Sequence, residues 1–368
     1  MSRAPEPRYT HGSAERCAIL LVNLGTPDAP TASALRRYLA QFLWDPRVVE
    51  IPRPVWWLIL HGVILRLRPA KSAAKYAAIW TEAGSPLLTW TVRQAQALQT
   101  TLQGRGHAVS VHPAMRYGNP ALDKTLDTLH ASGVTRVLVL PLYPQYAAAT
   151  TASSVDAVAD WARRSRRLPE LRFVNHYHDD PGYIAALAAS VREHWSRHGR
   201  GQKLVMSFHG VPARSLALGD PYHCECHKTG RLLAEALGLA TDDYLVTFQS
   251  RLGRAQWLQP YTEPSVKQLA AQGIHHIDAI CPGFAADNLE TLEEIAMEAK
   301  DAFLQAGGRQ FNVVPCLNDR PDWIDALGDL AERHLQGWPT AAASPADALA
   351  QPAKQAQRQR ALALGAAD

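Results

Sequence analysis

A histidine at the end of an apolar run is the first residue whose type and position could support chemistry. His209 follows residues 203–208, KLVMSF, which are typical of a buried parallel strand, and Gly210 and Pro212 then break that strand. His209 is therefore expected at the carboxyl ends of the strands, where open α/β sheets bind ligands. There it can accept a proton near neutral pH or bind a metal through a neutral nitrogen. The alternative is a histidine that hydrogen-bonds to a neighbouring loop.

Two glutamates are expected at the same sheet edge. The segment 287–294, DNLETLEE, follows another predicted strand and begins a helix on which Glu290 and Glu294 lie one turn apart on a shared face. A carboxylate facing a histidine could bind a divalent cation or relay protons. The alternative is a capping box, with Asp287 as the N-cap and Glu290 three residues later.

Two further groups of residues leave alternatives open. The run YHCECH at 222–227 contains two cysteines and two histidines, but it lacks the four-ligand spacing of a zinc or iron–sulfur site. A loop or helix start with free thiols is therefore favoured. Trp257 is either a core residue or an aromatic face beside a flat ligand.

The composition is that of a soluble globular enzyme. The chain has 368 residues, is 47% hydrophobic and 20% charged, and its net charge of +4 gives no argument for nucleic-acid binding. Its five cysteines do not resemble a disulfide framework, and the polar N-terminus lacks the apolar core of a signal peptide. The expected compartment is the cytoplasm, because no run reaches the roughly 18 apolar residues that span a bilayer.

One apolar segment could contact a membrane without crossing it. Residues 54–68, PVWWLILHGVILRLR, are apolar almost all round and are flanked by basic residues. This composition suits an interfacial anchor whose basic flanks lie at lipid headgroups. The alternative is a helix buried in a large core.

The elements that must position these residues alternate between strands and helices, which predicts an α/β fold with two doubly wound halves. Residues 1–16 are expected to be a disordered arm. The N-terminal α/β domain is predicted over 17–168, and the C-terminal α/β domain, in which His209 and Glu290 lie, over 169–335. Residues 336–368, rich in Ala, Gln and Pro, are expected to be disordered.

Taken together, the motifs resemble those of the ferrochelatases, which insert ferrous iron into a porphyrin at the end of haem synthesis. The resemblance covers about residues 17–335. The motifs on which it rests are NLGTP (23–27), AGSPL (83–87), MRYGNP (115–120), LPLYPQY (140–146), SFHGVP (207–212), GDPY (219–222), TFQSRLG (247–253), WLQP (257–260) and GFAADNLETLEEI (283–295).

The resemblance implies two similar domains with parallel four-stranded sheets, a fold like that of class II chelatases, with the porphyrin in the cleft between them. It assigns His209 and Glu290 as catalytic residues, and His209, Glu290 and Glu294 as metal-binding residues. The positions it assigns to the porphyrin are Leu24, Arg116, Tyr117, Tyr143 and Trp257. It also implies that residues 48–72 of the N-terminal domain form an apolar lip at the mouth of the pocket, which contacts the membrane in this family.

The chain departs from the animal ferrochelatases in three respects. Asn288 stands where animal enzymes have a histidine, so a proton relay through that position is not expected. Alanines follow the YPQY motif and the tail has no cysteine, so no iron–sulfur cluster is expected. Ala77 and Ala78 stand where animal enzymes have two arginines, so the propionates need other partners.

The resulting expectation is a monomeric enzyme that inserts Fe²⁺, as a substrate, into protoporphyrin IX and holds no permanent cofactor. His209 would accept the pyrrole protons or ligate the metal, and Glu290 and Glu294 would conduct metal or protons. The expected location is the cytoplasm, with peripheral membrane contact through 54–68. The alternatives are a coproporphyrin or cobalt chelatase and, in another class, a haem or porphyrin carrier without catalysis.

Overall fold

Two four-stranded parallel sheets organise the chain in the computed structural model, which describes residues 6, 11–251, 253, 255–341 and 345–366. The first sheet has the strand order β2-β1-β3-β4. Its strands are β1 (Cys17–Thr26), β2 (Val109–Gly118), β3 (Arg136–Pro141) and β4 (Glu170–Phe173).

The second sheet repeats this topology with the order β6-β5-β7-β8. Its strands are β5 (Lys203–His209), β6 (Tyr244–Gln249), β7 (His276–Ile280) and β8 (Gln310–Val313). In each sheet the chain starts near the middle, adds a strand on one side and then continues on the other. This doubly wound arrangement confirms the predicted α/β class with two similar halves.

Helices cover the faces of both sheets, as a parallel sheet requires. The α-helices are α1 (Ala32–Trp44), α2 (Arg53–Ile59), α3 (Leu65–Ile79), α4 (Pro86–Gly104), α5 (Leu122–Ala131), α6 (Ser153–Ala162), α7 (Pro181–His198), α8 (Arg214–Ala217), α9 (Tyr222–Leu237), α10 (Thr262–Ala271), α11 (Lys300–Gln305), α12 (Pro321–Leu335) and α13 (Pro345–Ala363). Three π-helical segments (Leu60–Ile64, Ala148–Ala152 and Glu290–Ala299) and a 3-10 turn (Thr241–Asp243) complete the elements.

One apolar core joins the two halves. It includes residues from β1, β3 and β5 and from the helices α4, α7 and α12, which pack against one another. At its centre Trp323 of α12 contacts the rings of Tyr177 and Tyr183, and all three side chains are buried. A polar link adds to it, because Gln94 Nε2 in α4 donates to the carbonyl oxygens of Ala285 and Asn318 in the second half.

The predicted domain boundary at 168/169 is corrected. Strand β4 (Glu170–Phe173), which the sequence assigned to the second half, pairs with β3 and belongs to the first sheet. This strand is a short, half-exposed edge strand, so its hydrophobicity does not indicate which sheet it joins. The first sheet therefore ends at Phe173.

The two ends of the chain also differ from expectation. The tail, for which composition favoured disorder, contains α13, in keeping with the high helix propensity of its many Ala, Gln, Leu and Arg residues. Most of the predicted N-terminal arm lies outside the described residues. Within it, Glu6 accepts hydrogen bonds from the backbone nitrogen atoms of Arg166 and Arg167 and contacts His130.

Candidate active site

A cavity of about 580 Å³ opens where the carboxyl ends of the two sheets face each other. Its walls include residues at or just after the carboxyl ends of β1, β3, β5 and β7, namely Leu24, Tyr143, His209 and Phe284. In each sheet these strands flank the point where the strand order reverses, so the loops diverge and leave a crevice. A cavity of this size and position suits a small-molecule ligand.

His209 ends β5 and lines the cavity, as predicted. Its Nδ1 lies 2.6 Å from the carbonyl oxygen of Gly210, which can only accept a hydrogen bond. Nδ1 therefore carries the proton in the neutral ring, and Nε2 keeps its lone pair. Tyr222 Oη donates to the His209 carbonyl oxygen at 2.9 Å and helps to fix the end of the strand. The hydrogen-bonded and the reactive interpretations of His209 are thus both compatible, because they use different nitrogens.

Glu290 lines the same cavity at the start of the π-helical segment Glu290–Ala299. The capping box, which was the alternative interpretation of Glu290, does not form. The Asn288 side chain accepts from the backbone nitrogens of Glu290 and Thr291, at 2.9 and 3.1 Å. Asp287 instead accepts from Asn318 Nδ2 at 2.7 Å. Because another residue caps the helix, the Glu290 carboxyl group is left to the cavity.

The surroundings of Glu290 change its acidity. Burial raises the pKa of the Glu290 carboxyl group, the nearby His209 lowers it, and the carboxyl groups of Glu294 and Glu293 raise it further; the net direction is upward. A carboxyl group with a raised pKa can exchange protons closer to neutral pH than an exposed glutamate.

An acidic line continues along this helix, as predicted for Glu294. The carboxylate of Glu294 accepts from the backbone nitrogen of Ser250 at 2.7 Å and from its hydroxyl group. One step further, Glu298 also lines the cavity and pairs with Lys75 at 2.9 Å. Glu290, Glu294 and Glu298 thus lead from the interior of the cavity toward solvent. The spacing of four residues could have indicated Glu298 from the sequence.

Apolar and aromatic residues form the remaining walls. Leu24, Tyr143 and Trp257 line the cavity, as predicted. The sequence analysis missed Tyr38 and Tyr76, which are buried in the opposite wall. Burial raises the pKa of both phenols, so they stay neutral. No short motif marked these two tyrosines, because their contact with the cavity depends on the packing of α1 against α3.

Arg116 and Tyr117 are not among the residues that line the cavity, so their assignment to the porphyrin remains a prediction. Arg116 Nη2 pairs with the buried carboxylate of Asp45 at 2.5 Å, and Tyr117 Oη donates to the same oxygen at 2.8 Å. The Ser153 hydroxyl also donates to it, at 2.6 Å. These residues satisfy a buried acid behind the wall. Both residues lie on β2, beside the cavity-lining strand β1. The motif alone therefore could not show whether they line the cavity or support its wall from behind.

The run YHCECH forms the first turns of α9, in agreement with the favoured expectation of a loop or helix start. Cys224 is exposed and Cys226 is buried, and neither forms a disulfide. Burial raises the pKa of the Cys226 thiol well above its usual value, so this sulfur is a poor metal ligand.

The lip has one buried and one exposed face. The side chain of Trp56 is 4% exposed, and its Nε1 donates to the Leu43 carbonyl oxygen at 2.6 Å. Trp57 is 51% exposed and Leu67 72%. Further exposed apolar side chains are Val55, Leu58, Ile59 and Val63. Among the described residues, no helix combines the length and apolar character needed to cross a membrane.

Comparison with known proteins gives consistent results. The family model for ferrochelatase matches residues 16–335. The ferrochelatase of Methylibium petroleiphilum is 66% identical over 366 residues, covering 100% of this chain and 99% of the relative. That of Polaromonas sp. is 63% identical over 370 residues, covering 100% of both chains. The solved structure of SirB from Bacillus subtilis with Fe³⁺ has a TM-score of 0.53 at 13% identity, covers 87% of this chain and 96% of that chain, and supports the fold alone.

Proposed function

The chain belongs to the ferrochelatase family and inserts iron into a porphyrin for haem synthesis, and on that premise we propose that His209 and Glu290 carry out the chemistry. The observation that carries this proposal is their presence in one cavity, with Nε2 of His209 unprotonated in the neutral ring and the pKa of Glu290 raised. Insertion must remove two pyrrole protons while Fe²⁺ exchanges water for ring nitrogens. Nε2 of His209 accepts a pyrrole proton or holds the metal, and Glu290 takes the other role.

The walls of the cavity contribute by binding the porphyrin macrocycle. The apolar surfaces of Leu24, Trp257 and the buried tyrosines bind the ring, and this binding energy can bend it so that the nitrogen lone pairs point toward the metal. Glu294 and Glu298 provide a negatively charged route along which Fe²⁺ enters or protons leave.

The proposed substrate is protoporphyrin IX, which carries two propionates. Among the described residues, the cations that line the cavity are Arg68, Lys75 and Arg251. Lys75 is paired with Glu293 and Glu298, whereas the side chains of Arg68 and Arg251 are exposed and able to bind carboxylates. Two available arginines match two propionates. Coproporphyrin, with four, is the alternative substrate.

A direct assay separates these possibilities. Purified protein is given Fe²⁺ under anaerobic conditions with either protoporphyrin IX or coproporphyrin, and metalloporphyrin formation is followed by absorbance. We expect a higher kcat/KM for protoporphyrin. A higher value for coproporphyrin would refute the proposed substrate, and porphyrin binding without metal insertion would indicate a carrier.

The proposal includes two statements about the setting of the enzyme. The enzyme needs no iron–sulfur cluster, because Ala147 follows the YPQY motif and the tail lacks cysteine. Iron and sulfide analysis of the purified protein tests this statement. We also propose that the enzyme is a cytoplasmic monomer that attaches to the membrane surface through the exposed side of residues 54–68. Arg66 in this segment and Lys71 just after it can contact anionic headgroups.

A further inference from the structure

A second group of metal-binding side chains lies outside the cavity. His176 and His178 belong to the loop that follows β4, and Glu225 lies in the first turn of α9. One potential ligand atom of each residue lies within 4.8 Å of the other two. None of the three lines the cavity that contains His209 and Glu290. The cluster joins an element that follows the first sheet to a helix of the second half.

The contacts within this group leave one buried nitrogen unsatisfied. Nδ1 of His176 lies 2.6 Å from Oε1 of Glu225. Nδ1 of His178 lies 3.3 Å from Oε2 of Glu225 without forming a hydrogen bond to it, and among the described residues it has no hydrogen-bond partner. The side chains of His178 and Glu225 are only 8% and 7% exposed. A buried polar atom without a partner is uncommon in native proteins and calls for an explanation such as a missing ion.

We propose that His176, His178 and Glu225 bind a divalent transition-metal ion of the Zn²⁺, Co²⁺ or Fe²⁺ type, at a site separate from His209 and Glu290. Two imidazoles and a carboxylate are the ligand set of exchangeable three-residue sites, which leave one coordination position for water. Tetrahedral coordination at about 2.0–2.1 Å separates ligand atoms by roughly 3.4 Å. The half-exposed His176 can rotate to reach this spacing and gives the ion access from solvent.

The site also contacts a wall of the cavity. Oε2 of Glu225 accepts from the backbone nitrogen of Tyr146 at 2.7 Å, and the Tyr177 nitrogen donates to the Pro144 carbonyl oxygen at 2.9 Å. The neighbouring residues Tyr143, Gln145 and Ala147 line the cavity. An ion bound to Glu225 would compete with the Tyr146 amide, so its occupancy bears on the loop that shapes the porphyrin site.

The test is a Zn²⁺ titration of the full-length protein without porphyrin, followed by calorimetry. The Glu290→Gln variant serves as the background, because it weakens metal binding at the cavity. We expect His176→Ala in this background to bind one Zn²⁺ fewer. Substituting Co²⁺ gives a second readout, since the visible absorption of tetrahedral Co²⁺ should be present in the background and absent in His176→Ala.

A second surface histidine supplies the control. His227 also lies on α9, where its ring is tilted by 53° against that of His223 at a centroid distance of 4.5 Å, so this pair is a competing source of Zn²⁺ binding. We expect His227→Ala to keep the binding that His176→Ala loses. Unchanged stoichiometry in His176→Ala, loss in His227→Ala instead, or no Zn²⁺ binding by the background protein would each overturn the proposal and leave the cluster as a hydrogen-bonded anchor for Glu225.

Discussion

A single hydrogen bond at His209 determines which of its nitrogens can react. Because the Gly210 carbonyl oxygen holds Nδ1–H, proton uptake and metal binding both fall to Nε2, and one imidazole cannot do both at the same moment. Asn288 caps the N-terminus of this helix, so the carboxyl group of Glu290 is not needed there. Glu290 is therefore the neighbouring group that can bind the metal when His209 takes up the proton, or the reverse. The two residues should therefore behave as a unit.

We expect His209→Ala and Glu290→Gln each to abolish most turnover while porphyrin binding remains. Loss of a general base typically costs about 100- to 10,000-fold in rate. The double variant should be little worse than the poorer single variant, because residues that act as a unit are not additive. The measurements are anaerobic iron insertion and porphyrin fluorescence quenching. His275→Ala, at the opposite edge of the same sheet, is the control, and near-normal turnover in either single variant would remove that residue from the mechanism.

Glu290 should also lower the stability of the protein at neutral pH. Burial raises its pKa above the ordinary value of 4.5, so the folded state favours the protonated form and loses stability as the pH rises through the folded pKa. Glu290→Gln removes this loss. Without iron or porphyrin, the variant should have a higher Tm than the natural protein, and the gap should be wider at pH 8 than at pH 5.

Glu263→Gln on α10 reports the effect of removing an exposed carboxylate in the same assay. If the Glu290→Gln gap is constant or shrinks as the pH rises, burial does not govern the acidity of Glu290.

At the scale of elements, the lip illustrates what sequence patterns can and cannot predict. The apolar run at 54–68 indicated a surface or core helix, but adjacent Trp56 and Trp57 could not be assigned to opposite environments, since this depends on where α1 packs. Strand ends and helix starts placed His209 and Glu290 correctly because they depend on local signals. For Arg116 and Tyr117 the motif could not show whether they line the cavity or support its wall, because lining and supporting positions lie side by side on neighbouring strands. The four residues of β4 likewise gave no signal of the sheet that this strand joins.

The lip predicts different results for its two tryptophans. Trp57→Ser with Leu58→Ser removes exposed apolar surface, so sedimentation with anionic vesicles should fall while the Tm stays nearly unchanged. Trp56→Ser removes a buried ring and leaves the Leu43 carbonyl oxygen without its donor, and should cost about 3–5 kcal/mol of stability. Vesicle binding that survives the Trp57 and Leu58 changes would show that the lip is not the anchor.

At the scale of the whole molecule, two sheets of identical order share one core. The packing of α4 and α7 against α12 and the stacking of Trp323 on Tyr177 place one face of each sheet in a core shared by both halves, whereas the other face is covered by helices of its own half. The length and the repeated pattern predicted two separate domains, because helix-to-helix contacts between distant segments leave no signature in a single sequence. The halves are distinct in topology and joined in packing.

We expect the protein to unfold in a single transition. Differential scanning calorimetry of the full chain should give one peak, and the calorimetric and van't Hoff enthalpies should agree. Trp323→Ala should shift this peak down without splitting it, because the core that it weakens belongs to both halves. Two resolved peaks would show that the sheets unfold independently.

The lip is tied to the cavity by two hydrogen bonds, from Trp56 Nε1 to the Leu43 oxygen and from Arg36 Nε to the Leu65 oxygen, at 2.6 and 2.9 Å. Leu43 belongs to α1, whose Tyr38, Leu39 and Phe42 form part of the cavity wall. If the exposed side of the lip contacts a bilayer while the cavity holds a porphyrin, as proposed, lipid and porphyrin act on the same helix. Thermodynamic reciprocity then requires that whatever factor lipid contact adds to porphyrin affinity, porphyrin adds to lipid affinity. An empty enzyme and a loaded one would thus spend different fractions of their time on the membrane.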